Sequence, residues 1–258
     1  ITVMKLSLPG VLTTIFVFIF PFVTSNQIFS PTVNAKYLFV LFSTAVFCLI
    51  SVASLLYRKQ EIFWRRRWLL LAFGLLILVH YVSMFTGVFP AISFWSDLLR
   101  SSGLLFLTTL AVLVFFWGEL LTGRDWTWVK RSIAISGGLF SFLTILGVEG
   151  FGLSGRIWTA NLDVAGLTFG NTTFAGAYLV LVLIITLIEL MRSDAGSKWR
   201  KTLVVLAIIQ FLSPLLINIT PLGLGSARAS SATAILILVY LLGRFLLYRF
   251  LTGKVKNH

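Results

Sequence analysis

The chain has 258 residues, of which 58% are hydrophobic and 11% charged, with a mean hydropathy of +0.99 and a formal net charge of +13. That balance excludes an ordinary soluble domain, whose composition is nearer half apolar and a quarter charged, and points to a bilayer. It also excludes a nucleic-acid-binding reading, because the basic residues are scattered between apolar runs rather than gathered on one soluble face.

A membrane helix needs about 20 mostly apolar residues. In chain order, eight segments meet that need: about 6–24, 37–57, 68–86, 101–121, 132–148, 172–191, 202–219 and 229–248. The expected fold is all-α, a polytopic transmembrane helix bundle of about eight spans, forming one membrane domain over 1–258. The fifth span is the shortest and carries Gly137 and Gly138. No repeat, linker or low-complexity stretch interrupts the series. The first apolar run lacks a small-residue cleavage site and continues into a full span, so it reads as retained.

The breaks between spans alternate in charge. Lys5; Arg58, Lys59, Arg65, Arg66 and Arg67; Arg124, Lys130 and Arg131; Arg192, Lys198, Arg200 and Lys201; and Arg244, Arg249, Lys254 and Lys256 occupy one set. The other set holds only Lys36, Arg100, Arg156 and Arg228. The positive-inside rule then places both termini in the cytoplasm. Seven tryptophans, Trp64, Trp68, Trp95, Trp126, Trp128, Trp158 and Trp199, lie at or near span ends, where an indole is half wet. The single cysteine, Cys48, lies inside the second span and forms no internal disulfide.

Four segments face outward: 25–36, 87–100, 149–171 and 220–228. The third is the longest and carries Arg156, Asn161 and Asp163, followed by Gly166 and Gly170-Asn171-Thr172-Thr173. Asn171 or Thr172 is placed to cap the sixth span. For Gly-Asn-Thr alone, a plain surface loop with a helix cap is the favoured reading. In the fourth segment Pro221, Gly223 and Gly225 break the chain, Ser226 is an N-cap residue, and Arg228 falls in the first turn of the eighth span. A cation there opposes the helix dipole. The arrangement makes sense if an anion sits between them, because a helix N-terminus, small residues and a guanidinium fork suit a phosphate. The plainer reading is that Arg228 snorkels to headgroups. Arg156 on the same side favours the anion site.

The remaining polar residues have simpler readings. Arg100 follows Asp97 by three residues, which suits an ion pair on one helical face, and Lys36 reads as an interfacial anchor. His80, in the outer half of the third span, reads as a hydrogen-bonded core histidine. Glu119 and Glu189 lie near the cytoplasmic ends of their spans, solvated or paired with basic loops. No His/Cys/Asp group has metal-ligand spacing and no nucleotide-binding glycine motif occurs, so no metal or cofactor is expected.

Three stretches resemble the O-antigen ligase and polymerase family of bacterial membrane glycosyltransferases. One is Arg156 followed by GLTFGNTTFAGAYLVLVL at 166–183; the second is GSARASSATAILILVYLL at 225–242. The third is FPFVTSNQIFSPTVNAKYLFV at 20–40 with GVFPAISFWSDLLRSSGLL at 87–105. Their order and spacing carry the likeness. The resemblance implies a protein of the bacterial inner membrane that takes a glycan from a polyprenyl diphosphate at the outer face. The glycan passes to an acceptor hydroxyl in cell-surface polysaccharide such as lipopolysaccharide, without a metal or nucleotide. It implies diphosphate binding by Arg156 and Arg228, with Asn171 and Ser226 beside them and Arg100 and Asp163 as accessories. The family places its catalytic histidine in a large outward loop after the equivalent of the eighth span. No such loop follows here: His258 falls on the cytoplasmic side, so no catalytic residue is assigned, and an N-terminal portion of a longer enzyme, or a shortened relative, is expected. The rival reading is a transporter or flippase-like protein that binds an anionic lipid-linked substrate without chemistry.

Overall fold

The computed structural model describes residues 6–24, 33–58, 67–95, 103–145, 148–151, 157–159, 172–194, 196–219, 232–233 and 235–236. Helices make up nearly all of its regular structure. They are α1 (Leu8–Ile19, continued by a 3-10 turn Phe20–Phe22), α2 (Val33–Arg58), α3 (Arg67–Thr86), α4 (Pro90–Trp95), α5 (Leu104–Leu120), α6 (Gly123–Ile145), α7 (Thr172–Arg192) and α8 (Lys198–Ile219). Two short strands, β1 (Val148–Phe151) and β2 (Ile157–Thr159), pair between α6 and α7. Seven of the eight apolar segments thus coincide with helices. In the eighth, Ala232, Thr233, Ile235 and Leu236 are helical.

Two helices differ from the sequence expectation. The segment 87–100, read as a loop, contains α4. The fifth segment, expected at about 132–148, belongs to a helix that starts nine residues earlier at Gly123. Its start is a capping box. Thr122 N–H donates to Oδ2 of Asp125 at 2.9 Å, and Asp125 N–H donates back to the Thr122 hydroxyl at 3.3 Å.

By length and composition, one described helix is long and apolar enough to cross a bilayer, over Ala175–Arg192. Leu8–Phe22, Asn34–Ile50, Leu71–Thr86 and Leu104–Leu120 are shorter apolar helices.

The chain divides into two compact units, one of Ile1–Ser136 with Gly150–Trp158, the other of Gly137–Glu149 with Thr159–His258. The first unit is built on an aromatic centre. Phe16 of α1 stacks on Phe39 of α2 (ring centroids 5.1 Å apart) and meets Trp117 of α5 edge-on at 5.6 Å. Phe47, Val40 and Leu113 close the cluster. Such ring pairs add about 0.5–1.5 kcal/mol each beyond the area they bury. α1 is tied to α6 by hydroxyls: Ser132 donates to the Thr14 carbonyl at 2.9 Å and Ser136 to the Phe18 carbonyl at 2.8 Å. α3 is different. Of its residues 71–86 only Met84 is buried, and Leu75, Leu78, Val79, Val82 and Phe85 are all exposed.

In the second unit α7 and α8 form an antiparallel pair joined through Gly196, whose φ of +87° suits a residue without Cβ. Leu183 and Ala207 form its centre, with Leu187 and Phe211 against them. The C-terminal part of α6 joins through its two glycines. A Cβ at Gly137 would meet the Val182 side chain, and one at Gly138 that of Leu206. The two glycines of the fifth segment are thus positions where side chains of α7 and α8 press directly on the α6 backbone.

Candidate functional site

The residues proposed from sequence to hold a diphosphate are Arg156, Arg228, Asn171 and Ser226, with Arg100 and Asp163 as accessories. All six lie outside the described residues. Their surroundings are partly described. Arg156 immediately precedes β2, which pairs with β1, so the segment 149–171, read as a loop, contains paired strands that sequence reading missed. Val148 and the run Ile157-Trp158-Thr159 were the available signal, being β-branched and aromatic. α7 begins at Thr172, directly after Asn171, as a cap at that point requires.

Lys36 is described, and it is not the interfacial anchor expected. Only 7% of it is exposed, and its Nζ donates to the Val23 carbonyl at 2.9 Å, just beyond the 3-10 turn that ends the first segment. Burial pulls the ammonium from its ordinary range down to about 7. Lys36 therefore ties the end of the first segment to the first turn of α2.

His80 is hydrogen-bonded as expected but is not in a core. It lies on the exposed α3, with Nδ1 2.7 Å from the Leu76 carbonyl. A carbonyl only accepts, so Nδ1 carries the proton in this contact. Glu189 is buried near the end of α7, and among the described residues no group of three His, Cys, Asp or Glu could hold a metal ion.

The strongest polar constellation in the described structure escaped sequence reading. Asp125 is 0% exposed and collects four hydrogen bonds, from Thr122 N–H and hydroxyl and from Ser7 N–H and hydroxyl, at 2.7–3.2 Å. Burial alone would push its carboxyl up; the hydrogen bonds from Thr122 and Ser7 outweigh that and hold it below the usual carboxylate range. Ser7 is also the N-cap of α1, accepting from Gly10 N–H at 3.0 Å. The signal was present in Thr122-Gly-Arg-Asp125, a Thr and an acid at capping-box spacing. The arrangement suits structure rather than catalysis, since all its acceptor capacity faces protein donors.

No protein-family model, no curated protein and no solved structure matches this chain.

Proposed function

We propose that the chain is an O-antigen ligase- or polymerase-like protein of the bacterial inner membrane, with about eight spans and both termini in the cytoplasm. In this reading it binds a polyprenyl-diphosphate-linked glycan at the outer face, for transfer to an acceptor hydroxyl. One observation carries it: Arg156 and Arg228, two of the four Lys or Arg residues that run against the charge alternation, each lie in a glycine-bearing segment that leads into an apolar segment. The coincidence of seven apolar segments with helices supports the topology, as do the exposed apolar faces of α3 and α4. The chemistry fits the residues. A departing diphosphate gains charge in the transition state, and preorganised guanidinium groups stabilise that charge where water is scarce. The chain needs no nucleic acid and no cofactor for this role.

The test is binding of a polyprenyl diphosphate to the protein in nanodiscs. Arg156→Ala and Arg228→Ala should each weaken binding by about 10–100-fold, the worth of a charge-assisted hydrogen bond or two. The Lys variants should lose less, since they keep the charge but not the fork. Unchanged affinity in both Ala variants removes the reading.

One observation favours the transporter alternative. Pro214 lies inside α8 beside the buried Gln210 and Ser213, and transporters build substrate sites at broken, polar helices. Movement of a lipid-linked glycan between leaflets without formation of a transfer product would select that reading.

A further inference from the structure

The interior of the second unit holds polar groups that its packing does not require. α7 buries Ala175, Leu179, Val182, Leu183 and Thr186 on one face, and α8 buries Leu203, Ala207, Gln210 and Ser213 on the face that meets it. The relative levels of the helices follow from their contacts. Gly137 stands against Val182, Gly138 against Leu206, and the Phe140 ring lies 5.4 Å from that of Tyr178. At a rise of about 1.5 Å per residue, Ser141 is one turn beyond Gly137, and Gln210 is one turn beyond Leu206. Ser141 and Gln210 therefore share a level. Ser213 lies less than one turn further along the same face of α8, near the level of the small Ala175.

Ser141 and Ser213 are both 0% exposed, and neither hydroxyl has a hydrogen-bond partner among the described residues. Leaving a buried hydroxyl unsatisfied is costly, and alanine would avoid that cost at either position. Among the described residues no carboxylate, ammonium or guanidinium group stands at this level, so a ligand here is neutral and hydrogen-bonding.

We propose that Ser141, Gln210 and Ser213 form a binding site for a hydroxyl, supplied by water or by a sugar, inside the α6–α7–α8 unit. The site stands apart from the reading of Arg156 and Arg228, and it survives if that reading fails.

The test uses the full chain in proteoliposomes with Cys48→Ser, which removes the only cysteine. Ser141→Cys, Ser213→Cys and, as a dry control, Leu183→Cys are treated with a small hydrophilic methanethiosulfonate. Cysteines at 141 and 213 should react at least tenfold faster than the one at 183. Equal protection of all three overturns the site. Adding a polyprenyl-diphosphate glycan separates the two sources: the rates stay the same if water alone enters and fall if a sugar hydroxyl occupies the site. A second measurement covers a cysteine variant that fails to fold. Ser141→Ala and Ser213→Ala should each lower Tm by about 2–4 °C if the hydroxyls hold a ligand. An unchanged or higher Tm in both, as expected for dry, unpaired hydroxyls, also overturns it.

Discussion

The Ser7 hydroxyl donates a 2.8 Å hydrogen bond to Oδ2 of Asp125, a residue 118 positions further along the chain. The same two residues cap the helices they begin, so the starts of α1 and α6 are fastened to each other by their own caps. Asp125→Ala should destabilise the protein by about 2–4 kcal/mol, because it strands several donors at once. The carboxyl is depressed in the folded state, so its contribution is complete above the unfolded value of about 3.9 and drains away as pH falls through the lower folded value. Thermal melts of wild type and Asp125→Asn at pH 7 and pH 3 check this. The gap between the two should narrow at the acid end.

Gly10 lies against that same carboxylate: a Cβ added there would overlap the Asp125 side chain. Gly10→Ala should cost about 1–3 kcal/mol, as overpacking does, and Gly137→Ala should cost a similar amount against Val182. Gly74, on α3, has nothing within 4 Å of its added Cβ, so Gly74→Ala should stabilise by about 0.5–1 kcal/mol through helix propensity. Opposite signs in denaturation of the three variants verify the packing.

Lys36 makes stability depend on pH in the opposite direction to a paired lysine. Its folded value is about 7 and the unfolded value about 10.4, so between them the unfolded chain holds a proton that the folded chain does not. Stability should rise with pH across that window and be lowest below pH 7, where the buried amine must carry charge. Lys36→Met should flatten the rise and be at least as stable as wild type at pH 6. Melting curves from pH 6 to pH 10 decide it.

The proposed topology has a direct check. With Cys48→Ser as background, an impermeant thiol reagent added outside cells should reach a cysteine at Asn161 and miss one at Gln60. The reverse pattern would invert the orientation.

The helices were readable in the sequence wherever apolar length alone defines them, as in α2, α3, α5 and α7. The start of α6 was not, because Arg124, Asp125, Lys130 and Arg131 lower the hydropathy of turns that are nonetheless helical. Capping chemistry marks that start, and hydropathy does not register it. The burial of Lys36 was not legible in the charge alternation. That depends on Val23, thirteen residues earlier, folding back over its amine. The aromatic centre at Phe16, Phe39 and Trp117 likewise depends on three helices meeting, which no local pattern specifies. Ser141 and Ser213 gave no signal, since isolated serines in apolar helices are ordinary until their neighbours are known. Arg156 and Arg228 stood out because they break the charge rule. Their mutual distance is a tertiary property and lies outside the described residues.

The turn through Gly196 has a consequence for the order of assembly. α7 and α8 are separated by only five residues, so their mutual contacts close short loops at small entropic cost. The clasp from Ser7 to Asp125 must instead wait until more than a hundred residues have been synthesised. During translation the two halves therefore mature by different clocks. The later-made hairpin can dock on itself within moments of emerging, while the earliest helix stays without its lock until α6 arrives.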